Sequence, residues 1–136
     1  MVEDIAPQQV YETLLQDPQA RLVDVRTEAE WAFVGIPDLA QTGHDPVLIP
    51  WQTYPSMQVN PSFVDHLRQA GLTPENKLYF LCRSGARSLA AANAAAASGF
   101  AAAYNIADGF EGPPDHDAHR GHLTGWKASN LPWQQR

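Results

Sequence analysis

Cys82 is the only cysteine in the 136-residue chain, and it is followed by Arg83-Ser84-Gly85-Ala86-Arg87-Ser88. A thiol with two guanidinium groups within five residues has the makings of an anion-binding nucleophile. Lys77-Leu78-Tyr79-Phe80-Leu81, just before it, suits a buried strand, and the alanine-rich run Arg87–Ala97 after it favours helix. Strand, tight loop and helix together aim backbone N–H groups and the positive end of a helix at one point, which here belongs to Cys82. A thiolate there is stabilised by those donors and by the arginines, and it is the thiolate that attacks electrophiles. Burial as an inert core cysteine is the competing reading. Two following arginines, costly to bury without an anion, argue against it.

Composition narrows the rest. The length fits one domain spanning residues 1–136, with a core of ordinary size. A formal charge of −6 with no Lys/Arg run argues against a nucleic-acid surface. One cysteine excludes an internal disulfide and any multi-cysteine zinc site. The acidic start Met1-Val2-Glu3-Asp4-Ile5 does not read as a secretory signal, and no apolar run has membrane-spanning length. The expectation is a cytoplasmic protein in a reducing compartment, with neither membrane nor nucleic acid as partner.

The elements that position Cys82 follow from pattern. Ile5 ends a short strand and Pro7 opens a helix whose core face is Val10, Tyr11 and Leu14. Arg21–Arg26 reads as a strand, and Thr27-Glu28-Ala29-Glu30 has capping-box spacing at the start of the next helix. Val47-Leu48-Ile49 is a further strand. Asn60-Pro61 reads as the N-cap and first residue of a helix carrying Phe63, Val64 and Leu67 and stopping at Gly71. Gly99 ends the alanine helix, Ala102–Ile106 is the last strand, and Asp108–Pro114 is a turn-rich loop. The tail from Asp115 is mostly polar, with Trp126 and Trp133 as its large apolar residues. Alternating strands and helices predict an α/β fold with a mostly parallel central sheet flanked by helices. Ligands of such sheets sit beyond the carboxyl ends of the strands, which is where Cys82 falls.

These residues resemble the single-domain rhodaneses, the thiosulfate sulfurtransferases. Cys82-Arg83-Ser84-Gly85-Ala86-Arg87 is similar to their active-site loop, and Leu22–Arg26 with Glu28 and Glu30 to their early "DVR…E" segment. Ile49-Pro50, Asn105–Phe110, Gly125-Trp126-Lys127 and Leu131-Pro132 extend the likeness over most of the chain. The resemblance implies a persulfide on Cys82, formed from a small anionic sulfur donor and relieved by a thiol acceptor, a protein among the candidates, or by cyanide. It implies neither metal nor organic cofactor. Arg83 and Arg87 become the expected anion binders. The amides of Arg83, Ser84, Gly85, Ala86, Arg87 and Ser88 become the sulfur cradle, with Ser84 and Ser88 as hydroxyl donors or simply as loop and cap serines. Cysteine phosphatases and arsenate reductases, the rival class, place the arginine one residue later, where this chain has Ser88. A non-catalytic module of the same fold is the third class, and the presence of Cys82 weighs against it.

Other residues have quieter readings. Asp24 and Arg26 suit a structural ion pair. His116, His119 and His122 have a spacing that would bring them together on a helix, but Gly112-Pro113-Pro114 and Gly121 favour a solvated loop over a metal site. Trp31, Trp51, Trp126 and Trp133 are expected to pack, while Trp51, Tyr54 and Phe110 are also candidates for the pocket rim. His44 has no assigned role.

Overall fold

The computed structural model describes residues 2–53 and 55–135, so Tyr54 lies outside the described residues. In chain order the elements are β1 (Glu3–Ile5), α1 (Pro7–Gln16), β2 (Ala20–Asp24), α2 (Glu28–Phe33), β3 (Ile36–Pro37), a 3-10 turn (Ala40–Thr42) and β4 (Val47–Leu48). Then come β5 (Gln52–Thr53), β6 (Gln58–Val59), α3 (Phe63–Gln69), β7 (Lys77–Leu81), α4 (Ala86–Ala97), β8 (Ala103–Ile106) and β9 (Trp133–Gln134). Five strands form a parallel sheet in the order β1-β8-β7-β2-β4. This is the α/β architecture expected from the sequence.

Strand β7 lies at the centre of the sheet, and four of its five residues are buried. An uninterrupted apolar strand is what a parallel sheet covered on both faces requires. One face carries Val23, Phe80, Phe63, Leu67, Ala91, Ala92 and Ala95, joining the sheet to α3 and α4. The short alanine side chains let α4 lie close against β7 and β8. The other face carries Leu22, Tyr79, Leu81, Ile106, Val10, Leu14 and Leu39, joining the sheet to α1 and to the segment after β3. Trp126 and Leu131 from the tail belong to this second cluster.

The tail is thus more than a polar extension. Trp126 is fully buried, meets Tyr11 edge-on and donates Nε1–H to the Pro132 carbonyl at 2.7 Å. Strand β9 then pairs antiparallel with β3. A second departure concerns Asn60. The helix expected to start at Pro61 begins at Phe63, because Asn60 Oδ1 accepts from the Ser62 amide in an Asx turn while Nδ2 donates to the Pro50 carbonyl. The side chain ties two loops together instead of capping a helix.

Asp24 and Arg26 form the expected ion pair, at 2.7 Å between Nη2 and Oδ2, with both side chains fully buried. Arg26 also donates to the Gly35 carbonyl at 2.8 Å and lies 4.3 Å from the centroid of the Phe110 ring. Removing one member of such a pair strands a buried charge. Asp24→Ala is therefore expected to lower the unfolding free energy by about 3–5 kcal/mol. Urea denaturation of that variant beside the apolar pair Asp24→Leu/Arg26→Met checks this, since the double replacement should cost less than the single one.

Candidate active site

Cys82 is the first residue after β7, and Asp24 pairs with Leu81 in the register of β2. The sulfur therefore sits at the carboxyl edge of the sheet, as expected. Cys82 is 2% exposed. Its Sγ accepts a hydrogen bond from the Gly85 amide at 3.1 Å and lies within hydrogen-bond distance of Ser88 Oγ, at 3.2 Å. Gly85 makes the first possible by adopting φ +112°, a left-handed conformation that turns the chain from the loop into α4. Ser88 lies in the first turn of α4, a helix long enough for its positive end to favour a thiolate beside it.

The residues expected around the sulfur divide into four groups. Gly85 and Ser88 touch it. Arg83 and Ser84 are exposed, and their side chains make no hydrogen bond or ion pair among the described residues. Arg87, expected to hold a substrate anion, instead gives Nη1 and Nη2 to the two carboxylate oxygens of Glu30, at 2.7 and 2.9 Å. The tertiary fold supplies this competing partner by bringing α2 over the start of α4. Glu30 also accepts from the Thr27 amide and hydroxyl, closing the capping box read from the sequence. Ala86 opens α4 and offers no side-chain chemistry.

The pair shifts both partners. Hydrogen bonding to Glu30 holds the Arg87 guanidinium above its usual range against the cost of burial, with the charge of Glu30 and then of Cys82 adding to it. Burial pushes Glu30 up, but the Arg87 hydrogen bonds and charge outweigh it and hold the carboxyl below its usual value near 4.5. A depressed carboxylate contributes stability above its unfolded value, and that contribution is lost as pH falls through the folded value.

Asn105, which the sequence reading placed only on a strand and in a family likeness, proves to be part of the site. It is buried on β8, with Oδ1 2.5 Å from Ser88 Oγ and Nδ2 bonded to the Gly85 carbonyl and to Asp4 Oδ1. A polar residue within the last strand was the available signal. Gly109 supports the loop from below. A Cβ there would lie 2.5 Å from the Cys82 carbonyl, and its φ is +66°. The neighbouring amides of Phe110, Glu111 and Gly112 donate to the carbonyls of Cys82 and Arg83.

Phe110 is fully buried between Arg26 and Lys127, so it is core and not rim. Trp51 is half-buried and packs edge-on against Phe63. A cleft of about 480 Å³ is lined by Thr27, Glu28, Ala29, Pro50, Gln52 and Thr53, from the segments that follow β2 and β4 and not from the Cys82–Ser88 loop. In the late loop Asp115, His119 and His122 have potential ligand atoms within 4.8 Å of one another, whereas His116 is not in that group and lies near Asp117. The Asp115 carboxylate already accepts from the Asp117 and His119 amides and bonds His122 Nδ1, which accounts for the grouping as loop structure.

A parallel sheet with a cysteine at the end of its central strand, clasped by the next helix, defines a rhodanese-like domain. The chain belongs to the STR4 middle-domain family, whose model matches residues 3–136. It is 40% identical over 135 residues to an uncharacterised protein of Rickettsia prowazekii, covering 98% of both chains. It is 34% identical to the chloroplastic rhodanese-like domain-containing protein 4 of Arabidopsis thaliana, covering 90% of this chain and 24% of that protein. Among solved structures it is similar to a Mycobacterium tuberculosis protein at 46% identity and TM-score 0.90, over 99% of this chain and 98% of that one. It shares the fold of a Wolinella succinogenes polysulfide-sulfur transferase at 23% identity and TM-score 0.67, over 99% of this chain and 80% of that one.

Two outcomes test the geometry. Glu30→Gln should cost about 1–2 kcal/mol at pH 7, between the values typical of exposed and buried ion pairs. The difference from wild type should shrink as pH falls from 7 through the depressed Glu30 value, where the carboxyl takes up a proton; urea titrations over a series of acid pH values measure it. Gly109→Ala should destabilise by about 1–3 kcal/mol through backbone strain and close approach to the Cys82 carbonyl, read as a lowered thermal midpoint.

Proposed function

We propose that this protein is a sulfurtransferase that carries sulfane sulfur as a persulfide on Cys82. The observation that supports this reading most directly is the Cys82 sulfur held by two donors, Gly85 N–H and Ser88 Oγ, at the positive end of α4. In the first step the thiolate attacks the outer sulfur of thiosulfate or a similar donor. The Sγ–S bond forms, the donor's S–S bond breaks, and its electron pair leaves with sulfite. In the second step a thiolate or cyanide attacks the outer sulfur of the persulfide, takes it as a new persulfide or thiocyanate, and returns Cys82 as thiolate. Both steps need an activated nucleophile and positive groups for the displaced charge.

The roles of the arginines differ. Arg83 is the guanidinium available to sulfonate or sulfite oxygens, since its side chain is exposed and unbonded among the described residues. Arg87, with its charge largely met by Glu30, holds the start of α4 over the sulfur. The loop suits a single sulfur atom better than a phosphate: it is one residue shorter than the loop of the cysteine phosphatases, and its two donors converge on Sγ itself. Cys82 is nearly enclosed, which favours a slim donor. No helix among the described residues is long and apolar enough to cross a membrane. The reading places the protein in a reducing, cytoplasmic setting with a thiol as the acceptor.

Intact-protein mass spectrometry before and after brief exposure to thiosulfate tests the proposal, with Cys82→Ser as control. The expected result is one added sulfur on the wild type alone, removed by cyanide. No added mass would overturn the thiosulfate reading, and turnover of an aryl phosphate would replace it with phosphatase chemistry.

A further inference from the structure

Ser88 Oγ carries one hydrogen and has three acceptors around it. Asn105 Oδ1 is at 2.5 Å, while Cys82 Sγ and the Gly85 carbonyl are both at 3.2 Å. The hydroxyl can serve only one of them well. The orientation of Asn105 is set by its other end, because Nδ2 donates to Asp4 Oδ1 at 2.9 Å and to the Gly85 carbonyl at 3.2 Å. A rotated amide would turn its oxygen against a carboxylate and a carbonyl, so Oδ1 is held on Ser88. The four side chains thus form one line from the sheet edge to the sulfur: Asp4, Asn105, Ser88, Cys82.

We infer that Asn105 is a positioning residue that competes with the Cys82 thiolate for the Ser88 hydroxyl hydrogen, the competition being set by Asp4. When Cys82 is a thiol, Ser88 donates to Asn105 and the S–H has the Ser88 oxygen as its acceptor. When the sulfur is a thiolate, the charge draws the hydroxyl hydrogen to Sγ, since hydrogen bonds to ionised acceptors are the stronger ones. When a persulfide forms, the charge moves one atom outward and the hydrogen returns to Asn105. The hydroxyl follows the charge through the cycle, and Asn105 sets how much the thiolate gains from it. The charged groups nearest this end of the sheet are Arg83 and Arg87 beside Cys82, Asp24 on β2, Arg26 after it, Glu28 and Glu30 on α2, and Asp108 and Glu111 after β8, while Arg21 and Lys77 lie at the far ends of β2 and β7. None of them touches Ser88 Oγ among the described residues.

The inference rests on the reading of Cys82 as a nucleophile but does not depend on the sulfur donor. Its test is the rate of Cys82 alkylation by iodoacetamide between pH 5 and pH 9.5. The variants are Asn105→Ala, Ser88→Ala and the double replacement, each checked for native circular dichroism. Asn105→Ala frees the hydroxyl and should raise the rate on the acid side of the profile by about 3–10-fold, shifting its midpoint to lower pH. Ser88→Ala should shift it the other way. The double variant should match Ser88→Ala within about 2-fold, because Asn105 acts only through Ser88. An unchanged rate in Asn105→Ala, or an equal change when residue 88 is alanine, overturns the inference. Should Asn105→Ala fail to fold, Asp4→Ala decides: exposed on an edge strand, it should raise the rate, while Asp4→Asn, which keeps an acceptor for the amide, should not. Equal profiles for the two Asp4 variants count against the inference. Alkylation reports the thiolate whatever the donor, so this failure is separable from a failure to form persulfide.

Discussion

The buried guanidinium of Arg26 is the interaction on which the site depends. A charge with no exposure to solvent needs several partners at once, and those partners lie on different parts of the chain. Asp24 holds it on β2, Gly35 at the end of α2, and the face of Phe110 in the loop after β8. That last loop is the one whose Gly109 and following amides lie against the Cys82 and Arg83 carbonyls. One ion pair thereby sets the mutual position of the strand end, the second helix and the floor of the cysteine loop. Lys127 reaches the same Phe110 ring and also the Trp133 ring, at 3.9 Å from its centroid. Burial, more than any neighbour, draws its ammonium below the usual range. The tail segment is drawn into the same cluster by that contact.

Above this floor, Glu30 and Arg87 join α2 to the first turn of α4. The pair is bidentate and half-screened from water, and it fixes α2 against the first turn of α4. Its consequence for chemistry is indirect. The Arg87 charge remains near the sulfur while its donors are occupied by Glu30, and Arg83 is the exposed guanidinium of the loop. Ser88, one residue on, is aimed inward at the sulfur and at Asn105. The loop thus presents Arg83 and Ser84 at its surface, while Arg87 ties α4 to α2 and Ser88 faces the sulfur.

The sequence revealed those features whose cause is local. Capping-box spacing at Thr27 and Glu30, the apolar run of β7, the glycine stops after α3 and α4, and the Cys82 loop all follow from residues within a few positions of one another. The Asp24–Arg26 pair was also legible, since charges two apart at the end of a strand point to the same face. Where a residue had a local option and a distant one, the local reading was incomplete. Asn60 could cap a helix or tie to Pro50, and it forms its own turn and the tie.

Local pattern therefore determined the α/β class, the position of Cys82 at a strand end and the helix behind it, because each rests on periodicity and turn chemistry. Tertiary structure alone decided the employment of the charged and polar groups. Arg87 meets Glu30 across 57 residues, Asn105 reaches Asp4 across 101, and Trp126 finds its place beside Tyr11. A guanidinium or an amide bonds whichever acceptor the fold brings within about 3 Å, and no spacing along the chain encodes which one that is.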